Sequence, residues 1–229
     1  MSILSYRKQV LVLGRGGFGK QLGEMLADTG WGSPVYLDDN APDCAGTLRD
    51  FVDPELQRRC PNAFVAIGDN NLRRDLLQKL RAAGYQLPVF IHPAAEVCES
   101  AHLGVGTVVL PFAFVGVNAV TGAGCLLNAG SIVDHDARLG TAVHVAPGGI
   151  MKAGAEVPDF ARWILGRSSA LPGKKADRLP FIMEIRPTGN APSGDIFFWN
   201  PIDNTTTLHY NIVRRNLAMQ GSERRGSGV

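Results

Sequence analysis

The sequence predicts an α/β domain, then a three-sided parallel β-helix, then an irregular C-terminal extension. A strand, a glycine-rich turn and a helix follow one another near the amino terminus, and large apolar residues recur every six positions from Ile91 to Val157. Such a hexapeptide period is typical of β-solenoids. The period fails after residue 162. We therefore expect an α/β domain over residues 1–90, a β-helix over 91–162 and a divergent extension over 163–229.

The first strand leads into a glycine-rich turn that suits an anionic ligand. The apolar run Gln9–Leu13 enters residues 14–19, GRGGFG, and residues 20–29 have helical spacing. Glycines leave the backbone N–H groups at the start of a helix open to a phosphate or a carbonyl. The same glycines also suit a tight turn without a ligand, and the turn alone does not decide between the two interpretations.

Two further predicted strands also end in polar residues. Residues 35–37 form a strand that ends at Asp38 and Asp39, about 20 residues after the turn, where dinucleotide folds place an acidic ligand-binding residue. Residues 63–67 form a third strand that ends at Gly68. Because ligands of open α/β sheets bind at the carboxyl ends of parallel strands, the three segments together favour a nucleotide site. Solvated loop residues are the structural alternative.

A helix over residues 72–83 and a strand over 85–91 complete the predicted domain, which is small. The turn also fits the phosphate-binding pattern G-x-x-x-x-G-K, but Gln21 stands where a magnesium-binding Ser or Thr belongs, so an NTPase is disfavoured. An NAD-dependent oxidoreductase would rest on the glycine turn alone, and about ninety residues make only half of a dinucleotide fold. Titration with NADH would test it.

The six-residue repeat is the most specific pattern in the chain. Eleven of the twelve positions reached by stepping six residues from Ile91 are large and apolar, and the position four residues after each is small in nearly every case. A large inward side chain fills one face of a triangular prism and a small one fits its corner. Twelve repeats at three per coil predict about four coils. The large positions are Ile91, Val97, Leu103, Val109, Val115, Thr121, Leu127, Val133, Leu139, Val145, Met151 and Val157.

A prism of four coils buries little apolar surface by itself, so we expect it to oligomerise. Hexapeptide-repeat enzymes usually form trimers with their sites in the clefts between subunits, and a homotrimer is therefore predicted. A solenoid without enzymatic activity remains an alternative at this point.

The bulk composition is that of an ordinary globular protein. The formal net charge is +2, which gives no reason to expect nucleic acid as a partner, although residues from Phe160 onward include ten basic and five acidic side chains. The four cysteines form no C-x-x-C pair, and no metal site is expected. No apolar run approaches the ~20 residues that span a bilayer, and no secretory leader is evident, so we predict a cytoplasmic protein without membrane insertion.

Polar side chains within the repeat are the candidates for chemistry. Asp134, His135, Asp136 and His144 stand out among small, apolar and turn-forming residues, and we expect them to cluster. An imidazole beside a carboxylate can act as a base near neutral pH, because the carboxylate orients the ring and stabilises its protonated form. A surface histidine without a role is the alternative for each, and we assign none to His92, His102 and His209.

A set of motifs in order and spacing makes a resemblance specific over residues 8–157. With these motifs the chain resembles the bacterial sugar O/N-acetyltransferase family, which includes sialic-acid O-acetyltransferases and UDP-4-amino-sugar N-acetyltransferases. The matching segments are GRGGFG at 14–19, LDD at 37–39, AIGDN at 66–70 with Arg73, FIHP at 90–93, NAGS at 128–131, VDHD at 133–136 and HVAPG at 144–148.

The resemblance implies a Rossmann-like domain followed by a left-handed β-helix, with acetyl-CoA as co-substrate. It implies that the residue at His135 deprotonates the attacking amine or hydroxyl with help from Asp136. The residues it places near the nucleotide-linked sugar are Gly14, Gly16, Gly17, Asp38, Asp39, Gly68 and Asn70. Those it places near the acetyl group of acetyl-CoA are Asn128, His144 and Gly148.

The sequence departs from this family after the repeat. Further coils that carry acetyl-CoA in the family are replaced by a basic, proline-broken segment over 166–180, an apolar segment over 181–210 and a basic tail over 221–229. Lys174, Lys175 and Arg178 suit CoA phosphates, and a solvated loop is the alternative. The sequence therefore predicts an acetyltransferase acting on a UDP-sugar in surface glycan biosynthesis, or else a sugar-nucleotide-binding or scaffolding relative without a complete CoA site.

Overall fold

The computed structural model describes residues 8–164, 181–185 and 196–199. The first unit is a parallel three-stranded sheet in the order β2-β1-β3, and the predicted α/β domain is confirmed. Its strands are β1 (Gln9–Leu13), β2 (Ser33–Leu37) and β3 (Ala63–Val65), and its helices are α1 (Gly17–Asp28), α2 (Pro54–Arg59) and α3 (Asn70–Ala82), with a 3-10 turn at Asp50–Val52.

Helix caps explain where the observed helices begin. Asp69 caps α3, because its carboxylate accepts a hydrogen bond from Leu72 N at 2.9 Å, so the helix starts two residues before the predicted 72. Helix α2 was not predicted. It has a matching signal, since Asp53 accepts from Glu55 N at 2.9 Å and Pro54 occupies the first helical position.

The predicted strand over residues 85–91 is wrong. Gln86 makes one isolated bridge to Asn62, and the chain then leaves the sheet. Pro88 lies two residues after this bridge and lacks the N–H that a ladder needs. Phe90 and Ile91 instead form the first strand of the second unit.

The second unit is a left-handed parallel β-helix of about four coils, and its predicted phase is confirmed. Each of its twelve two-residue strands ends at a predicted large position. The first prism sheet contains β4 (Phe90–Ile91), β7 (Val108–Val109), β10 (Leu126–Leu127) and β13 (His144–Val145). The second contains β5 (Glu96–Val97), β8 (Phe114–Val115), β11 (Ile132–Val133) and β14 (Ile150–Met151). The third contains β6 (His102–Leu103), β9 (Val120–Thr121), β12 (Arg138–Leu139) and β15 (Glu156–Val157).

The inward residues form a continuous core. Val109, Leu127 and Val145 are fully buried and stack in register in the first sheet. Ile91 was also predicted to face inward, yet it is 44% exposed. It belongs to the first coil, so no earlier coil covers it.

The first residue of each strand faces outward, and the three outer faces differ. In the first sheet this column begins Phe90, Val108, Leu126, and these side chains pack against β1, β3 and α1 of the α/β domain. The second sheet presents Glu96, Phe114, Ile132 and Ile150, the last of them 41% exposed. The third sheet presents one apolar and three polar or charged residues, which are Val120, His102, Arg138 and Glu156. Only the first outer face is covered by the α/β domain.

The first sheet extends beyond the others at the end of the prism. Strand β16 (Ala161–Ile164) pairs in parallel with β13, and β17 (Phe181–Ile185) and β18 (Ile196–Trp199) then add to it antiparallel. Among the described residues, the second and third sheets end at β14 and β15. An antiparallel hairpin therefore takes the place of a fifth coil.

Candidate active site

A histidine and an aspartate form a dyad at the corner between the second and third prism sheets. His135 Nδ1 and Asp136 Oδ2 are 2.8 Å apart, and the two side chains are 58% and 57% exposed. An ionised carboxylate only accepts, so Nδ1 carries the proton and the lone pair is on Nε2. That tautomer is the one a general base requires.

The corner one coil earlier supports this dyad. Asn118 lies 18 residues before Asp136, and its Nδ2 donates to Asp136 Oδ1 at 3.2 Å. Ser100 lies another 18 residues earlier, and its Oγ accepts from Asn118 N at 3.1 Å. The sequence reasoning missed Asn118, although stepping by one coil from Asp136 finds it. Asp136 itself has a left-handed φ of 59°, which turns its carboxylate back to the ring.

Close packing also fixes the backbone of the dyad. A Cβ on Gly116 would lie 2.6 Å from His135 N, so only glycine fits beneath the histidine. Asp134 Oδ1 accepts from the same backbone N–H at 2.7 Å. Asp134 therefore holds the main chain of His135, whereas Asp136 holds its ring.

The electrostatics of the dyad favour a protonated imidazole. The hydrogen bond to Asp136 raises the pKa of His135 above its ordinary value, and burial slightly opposes this effect. Hydrogen bonds from His135 and Asn118 lower the pKa of Asp136. The dyad can thus take up a proton and share its charge.

His144 has the opposite environment. It is 6% exposed on the outer face of the first sheet, where it continues the apolar column, and Arg162 follows it in register. Burial lowers the pKa of His144 to about 3, and the charges of Arg73 and Arg162 add to the effect. The ring is therefore neutral at physiological pH.

The neighbour of His144 defines which nitrogen carries its proton. Asn128 Oδ1 accepts from Ala129 N at 2.8 Å, which fixes the amide orientation, and Asn128 Nδ2 then faces His144 Nε2 at 3.4 Å. An amide NH₂ can only donate, so Nε2 accepts and Nδ1 carries the proton. No described residue accepts from the buried Nδ1. A buried donor of this kind fits a carbonyl oxygen.

The expectation that His135 and His144 cluster is wrong within one chain. They are nine residues apart, which is half of an 18-residue coil, so they lie on opposite sides of the prism. The corner of His135 is the one that faces away from the first sheet. Gly148, by contrast, lies at the corner beside Asn128, since its N–H donates to Ala129 O at 3.0 Å.

The glycines of the amino-terminal turn divide into two groups. A Cβ on Gly14 would lie 2.8 Å from Ala66 O, and Gly14 has a φ of 98°, so this glycine is required by the turn. Gly16, Gly17 and Gly68 have no atom within 4 Å of an added Cβ. The backbone there is open at the start of α1 and α3, as contact with a phosphate requires.

The acidic residues after β2 are engaged with backbone N–H groups. Asp38 accepts from Arg15 N at 2.6 Å, Asn40 N at 2.8 Å and Ala41 N at 2.9 Å, and these bonds lower the pKa of Asp38. Asp39 is exposed, and its Oδ1 accepts from Leu48 N at 2.9 Å. Both carboxylates shape the loop and keep further acceptor capacity.

Asn70 is turned toward the prism. Its Nδ2 donates to Phe160 O at 2.7 Å and to Ala161 O at 3.1 Å, and its Oδ1 accepts from Arg73. Both polar atoms of this buried side chain are thus engaged, the amide nitrogen with the prism and the oxygen within α3. Its contact with a nucleotide stays a prediction.

The remaining predictions concern a metal site, a membrane-spanning helix and the C-terminal extension. Within residues 8–164, no three His, Cys, Asp or Glu side chains come together as a metal site, and no helix there is long and apolar enough to cross a membrane. Lys174, Lys175 and Arg178 lie outside the described residues, as do the tail over 221–229, the whole segment over 166–180 and most of the segment over 181–210.

Comparison with known proteins agrees with this architecture. Residues 9–80 match the PglD N-terminal domain family. A stretch of 111 residues is 32% identical to UDP-N-acetylbacillosamine N-acetyltransferase of Bacillus subtilis (strain 168), covering 45% of this chain and 51% of that protein. The chain thus spans about half the length of this curated relative.

Solved structures match over a longer part of the chain. The acetyltransferase domain of PglB from Neisseria gonorrhoeae FA1090 aligns with a TM-score of 0.61 and 29% identity, over 66% of this chain and 86% of that one. The same domain in complex with acetyl coenzyme A gives 0.57, with 28% identity over 68% and 95% of the two chains.

A third structure is a mutant of perosamine N-acetyltransferase from Caulobacter crescentus in complex with CoA and GDP-perosamine. It aligns with a TM-score of 0.58 and 26% identity, over 68% of this chain and 92% of that one. The α/β domain, the left-handed β-helix, the dyad on its corner and these matches lead to one conclusion. The chain is similar to bacterial sugar acetyltransferases in both of its units.

Proposed function

We propose that this chain transfers the acetyl group of acetyl-CoA to an amino group of a nucleotide-linked sugar. The observation that carries the proposal is the dyad of His135 and Asp136, an oriented base on an exposed corner. Two of the relatives named above, those from Bacillus subtilis and Caulobacter crescentus, are N-acetyltransferases, which supports an amine over a hydroxyl as acceptor. We expect a UDP-sugar used in cytoplasmic synthesis of surface glycans, and a GDP-sugar is the alternative that the relatives suggest.

The reaction needs one base and one hydrogen-bond donor. His135 Nε2 removes a proton from the amine as its nitrogen attacks the thioester carbonyl and the C–N bond forms. The C–S bond then breaks, and the proton passes from His135 to the leaving thiolate. Asp136 stabilises the imidazolium between these two steps.

His144 is suited to stabilise the negative oxygen of the thioester carbonyl. Its Nδ1–H is a buried donor with no acceptor among the described residues, and its ring does not become charged at neutral pH. A neutral donor in a dry site stabilises developing negative charge without itself exchanging a proton. Asn128 maintains the required tautomer by donating to Nε2.

The two histidines can serve one reaction only if two chains share the site. His135 and His144 lie on opposite sides of one prism, with the buried core between them. The outer face of the second sheet begins with Glu96 and is apolar in its later three strands, and the exposed side chains of Phe112 (76%) and Val117 (50%) flank it on its two corners. Val117 precedes His135 by one coil. A second copy seated on this face would bring its own His144 toward His135, and three copies would close a ring.

The α/β domain is suited to the nucleotide part of the substrate. Gly16, Gly17 and Gly68 leave backbone N–H groups open at two helix starts, which favours a diphosphate there. Asp39 is an exposed carboxylate in the loop after β2 and suits a ribose or base. The first prism sheet packs on the same domain, so the sugar would extend toward the corner beside Gly148.

A histidine variant and a substrate screen test the proposal. Mass spectrometry of acyl-CoA donors against UDP- and GDP-sugars should reveal an acetylated amino sugar. His135→Ala should abolish the transfer and leave nucleotide-sugar binding intact, and equal activity in this variant would refute the role of base. Calorimetry with acetyl-CoA should detect binding. No binding would favour a sugar-nucleotide-binding protein instead.

Mixed oligomers test whether the site is shared. His135→Ala and His144→Leu are each expected to be inactive. After co-refolding in equal amounts, a shared site receives His135 from one variant and His144 from the other in about a quarter of random pairings, so about a quarter of the activity should return. No recovery in verified mixed oligomers would contradict the shared site.

A further inference from the structure

Helix α3 lies along the corner between the third and first prism sheets. Four residues with left-handed backbones stack at this corner, one in each coil: Gly106 (φ 68°), Gly124 (φ 68°), Ala142 (φ 54°) and Phe160 (φ 63°). Leu77 packs over the first two, since an added Cβ on either glycine would collide with its methyl groups. We call this column the docking corner.

The spacing of α3 matches that of the coils. Residues three or four apart on a helix are separated by about 4.5–6 Å along its axis, and stacked strands by about 4.8 Å. Leu77, Arg73 and Asn70 therefore face successive coils of the docking corner. Leu77 makes the apolar contact, and the other two donate to carbonyl groups.

Arg73 connects three separate segments. It is 2% exposed. Nε donates to Gly124 O at 2.8 Å and Nη2 to Ala142 O at 2.7 Å, which join two coils of the prism. Nη1 donates to Ile67 O at 2.9 Å, in the loop after β3, and Nη2 also donates to Asn70 Oδ1 at 2.9 Å. One guanidinium thus holds the open Gly68 loop and the prism in a fixed relation.

These acceptors are all neutral, so the charge of Arg73 is not needed for the docking itself. Burial lowers the pKa of Arg73 to about 10, and the group is still charged at neutral pH. Burying a cation is costly even though the charge of Asp69 favours the charged form of Arg73, and apolar side chains would dock a helix at less cost. Leu77 shows this on the same face of α3. The charge therefore calls for a functional reason.

His144 supplies that reason. It follows Ala142, whose carbonyl Arg73 holds, by two residues on the same coil. The charged groups that act on its ring are Arg73 from α3 and Arg162 from β16, while the neighbour from β10, Asn128, is neutral. Strand β17 places Glu184 opposite Arg162 in register. Of the two arginines, Arg73 also fixes the backbone of the coil through its hydrogen bond to Ala142 O.

We propose that Arg73 is a positioning residue for acetyl transfer, which locks the Gly68 loop to the coil of His144. Burial is the main cause of the low pKa of His144, and the charge of Arg73 lowers that pKa further. This inference rests on the proposed function of His144. It predicts that geometry and charge contribute separately. Lysine at position 73 would keep the charge and lose the three-carbonyl geometry, whereas methionine would lose both.

The two variants, Arg73→Lys and Arg73→Met, are compared in the full-length protein. Both should lower kcat by about tenfold or more, because the acetyl group and the sugar are no longer held in one geometry, while KM for the nucleotide-sugar changes little. NMR titration of the His144 ring should show its pKa rising in Arg73→Met and staying low in Arg73→Lys. Arg74→Lys is the matched control, since Arg74 is the adjacent arginine of α3 and stacks on the Phe160 ring. It should behave as the wild type.

The outcomes separate this inference from the proposed function. An unchanged kcat in both variants, or a fall no larger than the unfolded fraction seen by circular dichroism, would overturn the positioning role. If the wild-type protein acetylates no sugar, the proposed function fails, and the NMR titration still decides about Arg73. An equal pKa of His144 in Arg73→Met and wild type would then overturn the inference.

Discussion

Asp136 Oδ2 lies 2.8 Å from His135 Nδ1, and this pair sits on a turn that exposes both side chains. The aspartate has a left-handed backbone, and Asn118 from the preceding coil holds its second oxygen. Orientation of the ring therefore comes from two successive coils of a rigid prism. Such support is what places a base within reach of a substrate that arrives from outside.

The pH dependence of transfer should report this pair. A base acts only when neutral, so kcat/KM should fall as the pH drops through the pKa of His135, which Asp136 raises above the ordinary value. In Asp136→Asn the acid limb should move to lower pH, and kcat should fall by about a hundredfold because the tautomer is lost. Asp134→Asn is the control, since Asp134 binds the backbone N–H and should shift the limb less. An unmoved limb in Asp136→Asn would contradict the assignment.

The phase of the prism could be predicted because each coil obeys a local rule. A large residue such as Val133 must fill the interior and a small one such as Ala137 must fit the corner, and both are fully buried. The rule breaks only where the surroundings change. Ile91 begins the prism without a coil beneath it, and Pro88 ends the strand that the apolar run before it had suggested.

The arrangement of the candidate site was harder to predict, because it depends on how the two units pack. The position of Arg73 in the sequence does not show that its side chain is buried against the prism, since the contact between α3 and the β-helix joins residues that are far apart in the sequence. The separation of His135 from His144 could be predicted from the sequence, because nine residues are half of an 18-residue coil. Whether a second chain brings the two histidines together depends on the surface of the prism. The apolar residues Phe114, Ile132 and Ile150 of the second outer face can be read from the sequence.

His144 should make the protein sensitive to acid. Its pKa is about 3 in the folded chain and about 6.5 when unfolded, so between these values the unfolded state binds one more proton. The free energy of unfolding should therefore fall by up to about 1.4 kcal/mol per pH unit as the pH drops through this window. His144→Leu continues the column of Leu126 and removes this contribution. Urea titrations at pH 7 and pH 5 should show a smaller loss in the variant, and an equal loss would refute it.

Replacing a glycine at the docking corner should cost more unfolding free energy than its left-handed backbone alone explains. Gly124→Ala forces an alanine into a left-handed backbone and into Leu77, and we expect a loss of about 2–4 kcal/mol of unfolding free energy. Gly130→Ala is the matched control, because Gly130 has a φ of 66° and no atom within 4 Å of its added Cβ. It should lose about 1 kcal/mol. Thermal and urea unfolding measure the difference, and equal losses would show that α3 does not press on this corner.

The apolar second face should decide both assembly and activity. Ile132 is at the centre of its outer column, half-buried between Phe114 and Ile150. Ile132→Glu places a charge where a second copy would bind, so light scattering should show a shift from the proposed trimer to the 24.5 kDa monomer, with acetyl transfer lost and circular dichroism unchanged. Val120→Glu makes the same change on the third sheet, between His102 and Arg138, where charges already stand. It should keep both the trimer and the activity. An active monomeric Ile132→Glu would mean that His135 works without the His144 of a neighbouring chain, since within one prism the two remain half a coil apart.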